Sequence, residues 1–335
     1  MKKLSIGKIR GLQQIASPNG IFTMCAMDQR GSLQSMINPQ SPASVTPEQM
    51  VELKLELCSA LGKYATAILI DPIFGAAQCI SHNVLPKTTG LLVSIEATGY
   101  EGSKEHRITR LLDGWSVEKI KRMGASAVKI LLYYRPDLKE LARQQLDIIS
   151  EVAADCQKYD IPFLVEPVSY PIGKEVGHAN EFAEIKSKVV VQTARDMTSL
   201  PIDVLKAEFP ADLNYNTNEL KLVQFCEELN DASQKPWVIL SAGVGFKPFL
   251  KEVELACRCG ASGFLAGRAV WQEAITITDS EARQKFLATI AAERLKTLAE
   301  VAHKYATPWN KKLRLEPTKL AEITPEWHTA YSENI

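Results

Sequence analysis

The chain has no surplus of charge: 39 Lys and Arg stand against 39 Asp and Glu in 335 residues, a formal net charge of zero. A binder of nucleic acid or of an anionic membrane surface normally carries a basic excess, so neither partner is expected. No apolar run reaches 18 residues, which argues against a transmembrane helix. Lys2 and Lys3 are not followed by the apolar stretch of a signal peptide, so the expected compartment is the cytoplasm. Histidine is sparse: His82, His106, His178, His303 and His328 stand alone, with no H-E-x-x-H pair. Metal catalysis is therefore disfavoured, and no metal site is expected. The chain also lacks a P-loop, a G-x-G-x-x-G following a strand and a G-x-S-x-G elbow, so neither a nucleotide cofactor nor serine hydrolysis is expected. Seven cysteines are scattered, and Cys257-Arg258-Cys259 misses the C-x-x-C spacing, so they read as reduced thiols.

What is present is ample apolar material, 46% of residues against 23% charged, enough for a sizeable core. Short β-branched runs recur at Ile21–Met27, Thr66–Ile70, Leu91–Ile95, Ala127–Leu132, Pro162–Val165, Ile202–Glu208, Trp237–Leu240 and Gly263–Ala266. Between them lie stretches of helical spacing, among them Pro47–Lys63, Leu138–Tyr159, Asn180–Asp196, Asn218–Leu229 and Lys247–Cys259. Each interval is long enough for a right-handed βα crossover, and eight such units predict a single-domain (β/α)8 TIM barrel over residues 1–335. Residues 271–303 read as one or two amphipathic helices. The segment 304–335, with Pro308, Pro317, Pro325, Trp309 and Trp327, reads as a C-terminal tail packed along the barrel. A homo-oligomer is compatible with this composition.

Several strands end in polar or glycine-containing groups, including Asp28-Gln29, Glu96, Glu166, Glu208, Ser241-Ala242-Gly243 and Gly267-Arg268. In a barrel these converge on the C-terminal face, where active sites of this fold are built. The polar segment 96–114 reads as a long βα loop able to cover that face, or equally as a solvated loop.

Two lysines break apolar strands. Period-two geometry puts Val204, Lys206 and Glu208 on one face, and puts Lys129 in step with Ala127 and Leu131. Lysine is rarely buried without a partner, so each is a snorkelling or paired residue, or a group kept neutral for chemistry. If both heads share the mouth, each positive charge disfavours the other, and partial desolvation acts in the same direction, so at least one is expected to be a neutral nucleophile. A neutral lysine attacks a ketone to give a carbinolamine and then an iminium, an electron sink for breaking the adjacent carbon–carbon bond. Glu166 is the candidate acid–base group, Asp28 the candidate anchor for one lysine, and Gln29 a donor to substrate oxygens. After strands seven and eight, Ser241, Ala242, Gly243, Gly267 and Arg268 form a candidate phosphate cradle, the place where barrels commonly hold phosphate. Arg107 or Arg110 is a candidate contact for a second phosphate.

These residues give the chain its resemblance to the class I tagatose 1,6-bisphosphate aldolases. It rests on Ala26-Met27-Asp28-Gln29-Arg30-Gly31, Ala127-Val128-Lys129-Ile130-Leu131-Leu132-Tyr133-Tyr134, Phe163-Leu164-Val165-Glu166-Pro167, Asp203-Val204-Leu205-Lys206, Leu240-Ser241-Ala242-Gly243-Val244 and Gly267-Arg268-Ala269. The motifs follow the family order over nearly the whole chain. The resemblance implies metal-independent, Schiff-base cleavage of tagatose 1,6-bisphosphate to dihydroxyacetone phosphate and glyceraldehyde 3-phosphate. It implies Lys206 as the Schiff-base lysine, Lys129 as the second lysine, Glu166 as acid and base, and Asp28 and Gln29 as site residues. It further implies that Ser241, Ala242, Gly243, Gly267 and Arg268 hold a phosphate. Fructose 1,6-bisphosphate and 6-deoxy-6-sulfofructose 1-phosphate are the alternative sugars within this wider group. A non-catalytic, regulatory sugar-phosphate-binding barrel is the rival from another class, and a phosphate-binding isomerase or synthase is a third reading.

Overall fold

The computed structural model of the chain describes residues 4–329 and Tyr331. Eight parallel strands close into a barrel: β1 (Phe22–Met27), β2 (Ala67–Ile70), β3 (Gly90–Ser94), β4 (Ala127–Tyr133), β5 (Phe163–Val168), β6 (Val204–Ala207), β7 (Trp237–Leu240) and β8 (Gly263–Ala266). Each strand pairs with its neighbours in sequence, and β8 closes on β1 with Phe22 opposite Gly263. The helices are α1 (Ile6–Ile15), α2 (Gly31–Ile37), α3 (Pro47–Leu61), α4 (Ala76–Ser81), α5 (Val117–Arg122), α6 (Lys139–Lys158), α7 (Ala179–Ser199), α8 (Glu219–Ala232), α9 (Phe246–Arg258), α10 (Arg268–Trp271), α11 (Ser280–Phe286), α12 (Ala292–Tyr305) and α13 (Trp309–Lys312). Caps set several starts: the Thr46 side chain accepts from Gln49 N and the Gln49 side chain answers Thr46 N, with Pro47 opening α3. Asn218 caps α8 in the same sense.

The two faces of each strand sort into two apolar cores. Ile68, Ile70, Val93, Val128, Ile130, Val165, Leu205 and Ile239 pack outward against the helices. Phe22, Met24, Ala26, Leu69, Leu92, Ala127, Leu164, Val204, Val238 and Leu265 fill the barrel interior. Following the interior face two residues further along each strand gives Asp28, Ser94, Lys129, Glu166 and Lys206, so the apolar core passes directly into a charged layer at the C-terminal mouth. The opposite end is plugged: Leu12 and Ile15 of α1, with Trp309 and Leu313 around α13, belong to the interior cluster, and Trp309 N donates to Gly20 O. Further along the tail, Trp327 is exposed and packs edge-on against Tyr331, with ring centroids 5.4 Å apart.

Two expectations are refined. The segment 96–114 is the long connection between β3 and α5, and it carries an antiparallel hairpin of Glu101–Ser103 and His106–Ile108, with Glu96 bridging to Leu111 at its base. Within residues 271–303 a 3-10 helix at Gln272–Thr276 precedes one long helical run from Ser280 to Tyr305, in which a π-helical turn at Leu287–Ala291 joins α11 to α12. All seven cysteines are free thiols, six of them buried. No helix among the described residues is long and apolar enough to cross a membrane.

Candidate active site

Lys206 and Lys129 do meet, through one carboxylate. Lys206 Nζ lies 2.6 Å from Glu166 Oε1, and Lys129 Nζ lies 3.1 Å from Glu166 Oε2. The register explains the meeting: Leu131 on β4 stands opposite Glu166 on β5, and Val165 stands opposite Leu205 on β6, so the next inward residue on β6 is Lys206. All three side chains are buried, with Lys129 fully enclosed.

Lys129 has two further acids. It donates to Asp28 Oδ2 at 2.6 Å and to Glu96 Oε1 at 2.7 Å. The expected mutual repulsion of the lysines therefore does not govern Lys129. Burial alone would lower its pKa, but Asp28, Glu96 and Glu166 together hold its ammonium well above the ordinary lysine value. Asp28 is the mirror case: burial opposes ionisation, yet Lys129 and then Lys206 hold its carboxylate well below the usual range. Lys129 is thus a fixed cation. Lys206 contacts a single carboxylate, Glu166, among the described residues.

Glu96 was not among the candidate site residues, although its phase was readable, because Leu92, Ser94 and Glu96 share one face of β3 and its extension. Arg30 was also missed; it is buried and donates from Nη2 to Glu96 O at 2.8 Å. Glu208, two residues beyond Lys206, accepts from Ser169 N at 2.7 Å and Ser169 Oγ at 2.5 Å, tying the ends of β5 and β6 together.

A third missed residue acts from a helix. Lys54 of α3 is wholly buried, forms an ion pair with Asp71, and donates to Met27 O at 2.7 Å and Gln29 O at 2.9 Å. Those carbonyls flank Asp28, so Lys54 holds the backbone that presents Asp28 to Lys129.

The expected phosphate cradle is brought together. Between β7 and α9, Ala242 and Gly243 both adopt positive φ, 44° and 81°, turning the chain tightly after Ser241. A Cβ at Gly243 would stand 3.1 Å from Arg268 Cζ, so the guanidinium lies against this turn. Gly267 N donates to Ser241 Oγ at 3.4 Å, linking the ends of β7 and β8. Gln29 reaches the same region, with Nε2 3.2 Å from the position of a Cβ on Gly267. Gln29 Oε1, Arg30 Nη1 and Glu96 Oε2 are buried with no hydrogen-bond partner among the described residues. Arg107 and Arg110 lie apart from this cluster on the hairpin segment.

The fold and these side chains define a class of protein first: a (β/α)8 barrel whose C-terminal mouth carries two buried lysines bridged by a carboxylate. Comparison with known proteins then gives its family. Residues 22–273 match the family model described as DeoC/LacD family aldolase. Tagatose 1,6-diphosphate aldolase of Lactococcus lactis subsp. lactis is 34% identical over 325 residues, covering 91% of this chain and 98% of the relative. Tagatose 1,6-diphosphate aldolase 2 of Streptococcus agalactiae serotype III is 32% identical over 323 residues, covering 91% and 98%. The chain belongs to the DeoC/LacD family of aldolases, which are carbon–carbon lyases. Among solved structures, a Schiff-base-forming fructose-1,6-bisphosphate aldolase aligns with a TM-score of 0.57 at 20% identity, covering 87% of this chain and 98% of that one. Fructose-bisphosphate aldolase from Plasmodium falciparum aligns with a TM-score of 0.68 at 14% identity, covering 91% and 98%. At these identities the likeness establishes the barrel fold.

Proposed function

We propose that the protein is a class I aldolase that cleaves D-tagatose 1,6-bisphosphate to dihydroxyacetone phosphate and glyceraldehyde 3-phosphate through a Schiff base on Lys206. The observation that carries this reading is the 2.6 Å contact between Lys206 Nζ and Glu166 Oε1 inside a desolvated mouth. Glu166 takes a proton from the Lys206 ammonium, and the freed amine adds to the substrate C2 carbonyl. The carbinolamine loses water with a proton returned by Glu166, leaving an iminium. The C4 hydroxyl then gives its proton to Glu166 while the C3–C4 bond breaks. The aldehyde departs, and the bond's electron pair passes into the iminium as an enamine. Protonation at C3 and hydrolysis release dihydroxyacetone phosphate and restore the amine.

Lys129 supplies a fixed positive charge beside the reacting oxygens and keeps Glu166 positioned between the lysines. Asp28 and Glu96 hold Lys129 in turn. Ser241, Ala242, Gly243, Gly267 and Arg268 are assigned to the C1 phosphate, with backbone N–H groups of the positive-φ turn and the Arg268 guanidinium as donors. Gln29, with its buried and unpartnered Oε1, is assigned to a sugar hydroxyl. The tagatose assignment is supported by the names of relatives that align along nearly their whole length. The cytoplasm is the proposed compartment, supported by seven free thiols.

The test is release of triose phosphate from tagatose 1,6-bisphosphate in the presence of chelator, run beside fructose 1,6-bisphosphate and 6-deoxy-6-sulfofructose 1-phosphate. The proposal predicts chelator-insensitive cleavage, with tagatose 1,6-bisphosphate giving the highest kcat/KM. Failure to release dihydroxyacetone phosphate from any of the three would refute it.

A further inference from the structure

Arg107 sits on the second strand of the hairpin that follows β3, and its guanidinium is boxed by aromatic rings. Its Cζ lies 4.9 Å from the Tyr100 ring centroid, 5.2 Å from that of Tyr133 and 4.6 Å from that of Tyr170. The rings also contact one another edge to face, Tyr100 with Tyr133 at 5.0 Å and Tyr133 with Tyr170 at 6.3 Å. The Arg107 Nε donates to Lys104 O at 2.9 Å, while its two Nη groups meet no acceptor and no carboxylate among the described residues. The neighbouring Arg110 differs: it is exposed and paired with Glu101 at 2.5 Å. Of the two arginines expected to reach an anion, Arg107 is the one with no carboxylate partner among the described residues.

The box is braced from behind. Arg107 N donates to Tyr170 Oη at 3.4 Å, and Gln145 Nε2 donates to Arg107 O at 3.2 Å. The Tyr170 backbone is fixed by the buried Arg135, whose Nη1 donates to Tyr170 O at 2.7 Å and which pairs with Asp137 and Glu175. Tyr133 ties the box to the reacting centre, because it shares the inward face of β4 with Lys129. In the closed barrel β3 and β4 lie diametrically across from β7 and β8, where Ser241, Gly243 and Arg268 gather, with Glu166 on β5 and Lys206 on β6 along the arc between. A ligand carrying an anion at each end and a carbonyl between them fits this layout. An arginine oriented by ring stacking, without an acid of its own, is matched to an oxyanion rather than to a structural ion pair.

We propose that Arg107, oriented by Tyr100, Tyr133 and Tyr170, binds the anionic group at the far end of the sugar and sets the preference for doubly anionic ketoses. The inference rests on the aldolase reading above. Phosphate and sulfonate share the chemistry that the guanidinium recognises, and the substrate series separates them. The experiment compares the wild type, Arg107→Ala and Arg107→Lys on tagatose 1,6-bisphosphate, 6-deoxy-6-sulfofructose 1-phosphate and tagatose 1-phosphate, with borohydride trapping of dihydroxyacetone phosphate alongside. Losing charge-assisted hydrogen bonds is expected to lower the bisphosphate-to-monophosphate ratio of kcat/KM by about tenfold to a hundredfold in Arg107→Ala, mainly through KM. Arg107→Lys is expected to fall between. The trapped adduct, which contains no far anion, reports that the variants are folded. A sulfonate preference exceeding the phosphate preference and lost in Arg107→Ala would identify the far group as sulfonate. An unchanged ratio, or equal losses on all three sugars, overturns the proposal while leaving the aldolase reading intact if the adduct still forms. Absence of any adduct in the wild type overturns both.

Discussion

Lys206 and Lys129 share a single carboxylate, Glu166, with one lysine on each of its oxygens at 2.6 Å and 3.1 Å. The arrangement separates two tasks that one lysine cannot perform together. Lys129 is surrounded by Asp28, Glu96 and Glu166 and stays an ammonium, whereas Lys206 contacts one carboxylate among the described residues, the one that the proposed mechanism uses to remove and return its proton.

Glu166→Gln keeps the shape and a hydrogen bond to a lysine but removes the proton acceptor. It is expected to lower kcat by about a hundredfold to ten-thousandfold with a smaller change in KM. Steady-state kinetics check this, and a kcat within threefold of wild type would show that Glu166 is not the proton carrier.

Lys129→Met is expected to change the pH dependence of stability as well as activity. Asp28 is held below its unperturbed 3.8, so its contribution is present above that pH and fades as pH falls further. Lys129 is held above its unperturbed 10.5, so its contribution is present below that pH and fades only as pH rises through the higher folded value. Between pH 5 and 8 these two groups therefore add no slope. Without the ammonium, burial acts on Asp28 with its main opposing cation gone, and the folded state takes up a proton that the unfolded chain does not. Thermal melts should show the variant gaining stability from pH 8 down to pH 5, which the wild type does not do through these two groups.

Glu252 on α9 supplies a second pH effect, remote from the mouth. It is buried without a hydrogen-bond or ion-pair partner among the described residues, and burial pushes its carboxyl up to about 8, with Lys186 opposing and Asp212 adding to the shift. The folded state holds this proton where the unfolded chain has lost it, so stability is full below the unperturbed 4.5 and declines as pH rises through about 8. Glu252→Gln removes that penalty and is expected to stabilise the fold by roughly 1–3 kcal/mol at pH 8 and by little at pH 5. Denaturant titrations at the two pH values measure the difference.

Lys54→Met breaks a wholly buried pair and strips Met27 O and Gln29 O of their donor. The expected cost is about 3–5 kcal/mol, because Asp71 is left charged and buried. Adding Asp71→Leu should recover much of the stability in denaturant titrations but not the activity, since the backbone around Asp28 remains unheld.

The barrel was legible because its strands announce themselves as apolar runs at crossover spacing, and Lys206 and Lys129 were legible because a charge inside such a run has few explanations. Glu96 was placed at the C-terminal face but given no role, because it stands where β3 gives way to a polar segment, and only the inward phase through Leu92 and Ser94 distinguishes it from a solvated acid. Lys54 was hidden by its helix, although Met50, Leu53, Leu57 and Leu61 place it on the buried stripe of α3. The hairpin at 101–108 gave no strand signal: its three-residue strands Glu-Gly-Ser and His-Arg-Ile are polar and mostly exposed, and its pairing is fixed by Gly102 at positive φ and the Glu96–Leu111 bridge. That Lys129 would stay charged was not readable, because three carboxylates from three separate strand ends reach it only in the closed barrel.

The central claim is that Lys206 forms a covalent imine. Incubation with dihydroxyacetone phosphate and borohydride in the presence of chelator, followed by peptide mass spectrometry, tests it directly. The account predicts one reduced adduct, on the peptide bearing Lys206, absent in Lys206→Met. An adduct confined to Lys129, or none on any lysine while dihydroxyacetone phosphate is shown to bind, would contradict it.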